Sequence, residues 1–439
     1  MNRSQKTLSL LRDYESPNIL AIAPDLSAPM VWERAKGVRI WDAAGRLYLD
    51  LTAAFGVAAA GHANPRVVAA GRRQMGTLLH AMGDVYPHAR KAELARELSR
   101  RTFERWTAGS KGKTAHTGKT IFTNSGFEAV EAALKTALLA TGSARVLAFT
   151  GAYHGLGYGA LNATHRHHFR GPFLPQLGRF ASFAQFPKTA ADLPRLERET
   201  TKIYATKKFG AVLVEPLQGR GGCQVPPPGF LPGLRRWCDD HKVLLILDEI
   251  YTGFGRTGKW FACEHSATVP DLICLGKALT GGFPLSACVG RASLMDAAWP
   301  RSTGEAIHTS TYLGHPVGCA MALAQIREIA GRRLPERSCA LGEFLLGQLH
   351  SLHAPDGFRL AARGLGLMAV LEITHADGSP ATAAALRLLA ELGRAGFIVL
   401  PEGEFSNILS FTPPLTITKA QLAAAIRSLQ KSLAALPTA

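Results

Sequence analysis

From about residue 115 the chain repeats one unit, a short apolar run followed by a helical pattern. A mainly parallel sheet with helices on its faces is the arrangement that satisfies this alternation. The runs Thr120 to Thr123, Val146 to Phe149, Ala211 to Val214, Leu244 to Leu247, Leu272 to Leu275 and Ala287 to Val289 have strand length and turn-forming flanks. Between them Glu128 to Leu139 and Pro232 to Asp239 read as helices, the first opening behind Asn124, Ser125 and Gly126. The fold class predicted is α/β, with a large, mainly parallel sheet domain.

The flanks of this region read differently. Val38 to Trp41 and Leu47 to Leu51 form a predicted hairpin turned by Asp42 to Gly45. After the helix Val317 to Ile329, Pro335 and Gly342 punctuate a change to mixed strands and helices, such as Leu367 to Ile373 and the C-terminal helix Lys419 to Leu433. With 439 residues the chain is long enough for two domains. We expect an N-terminal segment (1–60) joining a smaller α+β C-terminal domain (331–439), and a large domain between them (61–330).

In open α/β sheets ligands bind beyond the carboxyl ends of the strands, so the polar residues following each apolar run are the candidates for chemistry. Asn124, Ser125 and Gly126 open a helix whose free amides suit a phosphate, although the same residues also serve as ordinary caps. Tyr153 and His154 bring an aromatic ring and an imidazole to the same edge. Asp248 ends its run as a carboxylate that needs a cationic or donor partner at a desolvated strand end, and alone it reads equally well as a turn cap. Lys277 follows Gly276 and precedes Gly281 and Gly282, just past a buried strand. A lysine, an aspartate, an aromatic ring and a phosphate cradle on neighbouring strand ends are together the parts of a pyridoxal 5′-phosphate (PLP) site.

Composition narrows the alternatives. Hydrophobic residues are 47% of the chain and charged ones 19%, which fits a packed enzyme and not a disordered protein. The net charge of +17 would attract polyanions, but the basic residues are scattered and no nucleic-acid reader motif accompanies them. The densest basic patch, His165, Arg166, His167, His168 and Arg170, reads as a solvated loop without zinc-site spacing. The seven cysteines lie between Cys223 and Cys339, never two or three apart, which excludes the usual paired-thiolate metal pattern and suits buried, reduced thiols. No metal site is expected. Met1 to Asn18 carries no signal-peptide core and no run of 18 apolar residues follows, so a cytoplasmic protein without membrane or nucleic-acid partners is expected.

The chain resembles the class III aminotransferases of fold type I, from about Val31 to the C-terminal helix. The most specific stretches are L-D-E-I-Y-T-G-F-G-R-T-G from Leu247 to Gly258 and P-D-L-I-C-L-G-K-A-L-T-G-G-F-P-L from Pro270 to Leu285, with a family-like 29-residue spacing from Asp248 to Lys277. The resemblance implies that Lys277 holds PLP as a Schiff base, Asp248 pairs with the ring nitrogen, Ser125 and Gly126 bind the phosphate, and Tyr153 and Ile250 cover the two ring faces, with His154 beside them. It implies that Thr311, in H-T-S-T-Y-L-G-H-P, reaches the phosphate from a partner subunit, so that a homodimer shares its active sites. The expected reaction moves an amino group from an amine or ω-amino acid to a keto acid or aldehyde.

Departures from the family pattern bear on substrate. Arg220, in E-P-L-Q-G-R-G-G, stands where many relatives have a glutamate, and Ser410, in N-I-L-S-F-T-P-P-L, where they have its arginine partner. Arg220 is therefore expected to be a lone, fixed cation for a substrate carboxylate. Leu156 replaces an arginine of acetylornithine-type enzymes, and Tyr251 replaces a glutamine that touches the cofactor, a contact its hydroxyl could still make. Phe55 and Ser310 are candidates for the substrate wall. Two other readings stand beside transamination: a PLP-dependent racemase or decarboxylase on the same scaffold, and a basic binding protein that kept an enzyme fold.

Overall fold

The computed structural model describes residues 2–19, 30–108 and 116–436. Near the N-terminus three short antiparallel strands, β1 (Trp32–Lys36), β2 (Arg39–Asp42) and β3 (Leu47–Asp50), extend the expected hairpin by one strand. The hairpin turns because Asp42 Oδ1 accepts from the amides of Ala44 and Arg46, both at 2.9 Å, while Gly45 takes a φ of 82°.

The central sheet holds seven strands: β4 (Gly118–Thr123), β5 (Val146–Phe149), β6 (Ala181–Ala184), β7 (Ala211–Val214), β8 (Leu244–Asp248), β9 (Leu272–Leu275) and β10 (Ser286–Arg291). Their spatial order is β4-β10-β9-β8-β7-β5-β6, and only β10 runs against its neighbours. Strands β5, β7 and β9 are buried at every position, as expected where helices cover both faces. Register then aligns their ends. Asp248 lies opposite Cys274, and Ser286 opposite Thr123, so the residues that follow β4, β8 and β9 emerge together at one edge.

Helix Gly126–Thr141 covers one face, packing on β4, β9 and β10, and stops at Gly142 in the left-handed conformation. Helix Phe230–His241 packs against β8 and buries Phe230, Leu231, Leu234 and Trp237. The C-terminal part adds β11 (Phe358–Leu365), β12 (Met368–His375), β13 (Phe397–Ile398), β14 (Leu400–Glu402) and β15 (Ile408–Phe411). Four of these form a sheet ordered β11-β12-β15-β14, while β13 pairs in parallel with β3, joining Phe397 to Leu49. No helix among the described residues is long and apolar enough to cross a membrane.

Candidate active site

The rule that placed chemistry after the strands leads to one cavity of about 400 Å³, whose wall includes Gly126, Tyr153, His154, Asp248, Ile250, Tyr251, Lys277 and Arg220. Asp248 is buried at the end of β8. Its Oδ2 lies 2.8 Å from His154 Nδ1, and its Oδ1 accepts from the Ile250 amide at 3.1 Å. A carboxylate can only accept, so His154 Nδ1 carries the proton and the anion is held from two sides. His154 Nε2, itself buried, has no partner.

Lys277 follows β9 with a φ of 36°, a strained value for any residue with a side chain. Gly276 before it is required by packing, since a Cβ there would meet Ser286 Oγ at 2.8 Å and Ile250 Cγ2 at 3.2 Å. The Lys277 Nζ sits 4.5 Å from the centre of the Tyr251 ring. Burial pulls the amine below the ordinary lysine range, while Asp248 and Glu215 partly restore its affinity for a proton. The neutral, nucleophilic form is thereby reached at lower pH than for a solvated lysine.

At the head of helix Gly126–Thr141, Ser125 Oγ is buried with no hydrogen-bond partner. Glu128 Oε2 accepts from the amides of Asn124 (2.7 Å) and Ser125 (3.2 Å), which fixes the turn. A Cβ on Gly126 would approach Ile250 to 3.0 Å. An unpartnered hydroxyl at a helix N-terminus, a fixed carboxylate and a half-buried lysine around one cavity are what a phosphate-bearing pyridine aldehyde requires, so these residues fit PLP.

Glu215, the residue after β7, was not singled out from the sequence, although it obeys the same strand-end rule. Its Oε1 accepts from the Tyr153 amide at 2.8 Å and its Oε2 from the Gly219 amide at 2.9 Å. It thus ties the Tyr153 loop to the turn bearing Arg220. Burial, with a smaller push from Asp248, raises its carboxyl to about 7.

Three expectations are corrected. Arg220 is not a lone cation: its Nη1 lies 3.7 Å from Oε1 of Glu402, a buried carboxylate at the end of β14. Ser410 indeed supplies no charge there, and the partner comes from the neighbouring strand of the same sheet. Nothing in the sequence marks Glu402, because β14 is three residues long and includes Pro401. The Tyr251 hydroxyl commits its one proton within the protein. The single proton of Thr412 goes to the Thr52 carbonyl, so Tyr251 donates to Thr412 at 3.2 Å. The basic patch is not a fully solvated loop: His165, Arg166 and Arg170 are half-buried, and Phe169 between them packs edge-on against Tyr153 at 5.3 Å.

Phe55, Ser310 and Thr311 lie outside the cavity wall and are exposed. Phe55 belongs to a left-handed run, Ala53 to Gly56, that passes Lys277; a Cβ on Gly56 would meet the Tyr251 ring at 2.6 Å and Lys277 Cδ at 3.8 Å. Asn124 donates to Ser310 Oγ at 3.4 Å, which brings the segment before Thr311 to the head of the phosphate-type helix. Leu156 lines the cavity. No cluster of three or more metal-ligating side chains occurs among the described residues.

A large sheet that gathers a lysine, an aspartate–histidine pair and an anion cradle at its carboxyl edge is the architecture of fold type I PLP-dependent transferases. Residues 22–433 match the family model for class-III aminotransferases. The chain is 37% identical over 402 residues to the 5-aminovalerate aminotransferase of Pseudomonas aeruginosa, covering 90% of this chain and 91% of that protein. It is 35% identical over 436 residues to the putrescine aminotransferase of Pectobacterium atrosepticum, covering 97% and 87%. Among solved structures, an amine transaminase from an uncultivated Pseudomonas species in its PLP-bound form superposes with a TM-score of 0.84 at 29% identity, covering 95% of this chain and 98% of that one. The chain belongs to the class III aminotransferases and is a PLP-dependent transaminase. The racemase, decarboxylase and binding-protein readings give way to this membership.

Proposed function

We propose that the protein is an ω-transaminase that takes the terminal amine of an ω-amino acid or diamine and passes the amino group to a keto acid. The observation that carries this reading is Arg220, a guanidinium on the cavity wall that contains Lys277, which suits a carboxylate remote from the reacting amine. The 5-aminovalerate and putrescine specificities of its relatives support the same substrate class.

Bound PLP supplies an electron sink conjugated to the amino-bearing carbon of the substrate. We assign Lys277 two roles: the nucleophile that attaches the cofactor, and the base that takes the substrate proton and returns it. Its depressed proton affinity favours both. Asp248, fixed by His154 and the Ile250 amide, is assigned to hold the ring nitrogen's proton. Ser125 and the Gly126 amide are assigned to the phosphate, Tyr153 and Ile250 to the ring faces, and Tyr251 to packing beside Lys277. Phe55 and Ser310 remain assigned to the outer substrate wall.

We assign Thr311 to a partner's site and the active unit to a homodimer. An exposed apolar band of Leu78, Leu79, Met82, Val85, Tyr86, Ile307 and Tyr312 supports this, since Asp84 and Thr309 join its two segments through a 2.5 Å hydrogen bond. The division into residues 1–60, 61–330 and 331–439, and a cytoplasmic location, complete the assignment. Six buried cysteines, all free, suit a reducing compartment.

Purified protein reconstituted with PLP should convert 5-aminovalerate or putrescine with pyruvate or 2-oxoglutarate, giving the new amino acid in stoichiometric amount. Lys277→Ala should reduce turnover by several orders of magnitude while retaining PLP through the phosphate cradle. Failure of the parent to aminate either acceptor, or substantial turnover by the variant, would overturn the assignment.

A further inference from the structure

The pair Arg220 and Glu402 is built asymmetrically. The carboxylate is the fixed member: Glu402 is 4% exposed, its ladder partner is Ile408, and Gly403 turns the chain immediately after it with a φ of 81°. The guanidinium is the more exposed one. The Arg220 side chain keeps 33% of its surface exposed, on a backbone turn that is itself held firmly. Arg363 does the holding, donating to the Gly222 carbonyl through Nη2 at 2.6 Å and Nε at 3.0 Å, and to Glu372 at 2.5 Å. A long, partly exposed side chain on a rigid turn, its guanidinium 5.7 Å from the centre of the Tyr153 ring, therefore covers a buried acid.

The cover is incomplete. At 3.7 Å the contact is an ion pair without a hydrogen bond, and Glu402 Oε2 is buried with no partner at all. A buried carboxylate with an unmade bond is expensive to keep and calls for a donor. Burial pushes the Glu402 carboxyl above the usual carboxylate range, while Arg220, Lys277 and Arg166 favour its anion. None of these groups is a hydrogen-bond donor to Oε2. Arg220 lines the cavity and Glu402 does not, so a donor entering from the cavity would reach the acid only once Arg220 turned outward.

We propose that Glu402 is a specificity-determining residue that receives the distal ammonium of a diamine or basic amino acid when Arg220 swings into solvent. With a carboxylate-bearing substrate Arg220 stays inward and its guanidinium binds the carboxylate on its cavity face. In both states Glu402 keeps one cation beside it, so neither substrate leaves a buried charge uncompensated. One pocket thereby serves amino donors ending in a cation and acids ending in an anion. This inference rests on the proposed ω-transaminase reading.

Three amines of matched length separate the roles: 1,5-diaminopentane, 5-aminovalerate and pentylamine, each with pyruvate and the PLP-loaded enzyme. In Glu402→Gln the ratio of kcat/KM for diaminopentane to that for pentylamine should fall by about tenfold to a hundredfold, the range of a charge-assisted hydrogen bond. In Arg220→Met the ratio of 5-aminovalerate to diaminopentane should fall instead. Equal losses on all three amines in Glu402→Gln, with PLP still bound, would show a merely structural carboxylate and overturn the inference. Should that variant lose PLP, Glu402→Asp, which keeps the charge but withdraws it, must lower the diaminopentane ratio; an unchanged ratio refutes the proposal. No transfer from any amine by the parent would overturn the ω-transaminase reading and this inference together, whereas transfer from pentylamine and 5-aminovalerate without any dependence on Glu402 overturns only the latter.

Discussion

Glu215, like the equally buried Glu249, ties stability to pH through its ionisation. Folding raises its carboxyl from 4.5 to about 7, with burial as the main cause. Between those values the folded chain holds a proton that the unfolded chain has lost, so stability is greatest below about 4.5 on this account and declines as pH rises towards 7. The full effect is on the order of 3 kcal/mol. Glu215→Gln, which cannot ionise, should flatten the slope of melting temperature against pH across that window, and an unaltered slope would show that Glu215 titrates normally. At this scale legibility depended on the strand-end rule. Asp248 and Lys277 stood out because short, unbroken apolar runs precede them, and Glu215 was visible by the same logic. Glu402 was not, because Pro401 removes a ladder donor and disguises an edge strand.

Elements are coupled to one another through close packing at the sheet edge. Gly126 at the head of its helix leaves room for Ile250, which follows β8, and a methyl group there would press on Ile250 Cδ1 and Cγ2 at 3.0 and 3.1 Å. Gly126→Ala should therefore push the helix head away from the strand end, costing about 1–3 kcal/mol in stability and weakening PLP binding. Trimming the opposing side chain with Ile250→Val should recover part of both losses, which a double-mutant cycle of melting temperature and PLP affinity would reveal. Additive effects would exclude the contact. The strands of the central sheet were legible because burial on both faces leaves uninterrupted apolar runs. The exception, β6, sits at the sheet edge, where only Ala184 of its four residues is buried, so neither a continuous run nor a clean alternation marks it.

For the whole molecule, a shared active site makes a sharp prediction. If Thr311 serves the partner's site, Lys277→Ala and Thr311→Glu chains should each be poorly active alone. Mixed dimers of the two contain one site that combines both defects and one with neither. Random mixing should then restore about a quarter of parental activity, because half the dimers are mixed and each has one intact site. Simple addition of the separate activities would place Thr311 elsewhere. An arrangement of this kind is suggested only by family resemblance, since neither periodicity nor composition says which surface would meet a second copy.

The parallel pairing of β13 with β3 sets a schedule for biosynthesis. Leu49 leaves the ribosome long before Phe397 exists, and at about 5–20 residues per second the delay is roughly twenty seconds to a minute. Throughout that interval β3 presents an open hydrogen-bonding edge, the kind of surface that recruits strands from other nascent chains. The same late segment brings Thr412, whose amide donates to the Leu51 carbonyl at 2.8 Å and whose hydroxyl fixes Tyr251 beside the lysine. The support for Tyr251 beside Lys277 is thus translated long after the lysine itself, so a chain terminated between them would carry Lys277 and still lack that support.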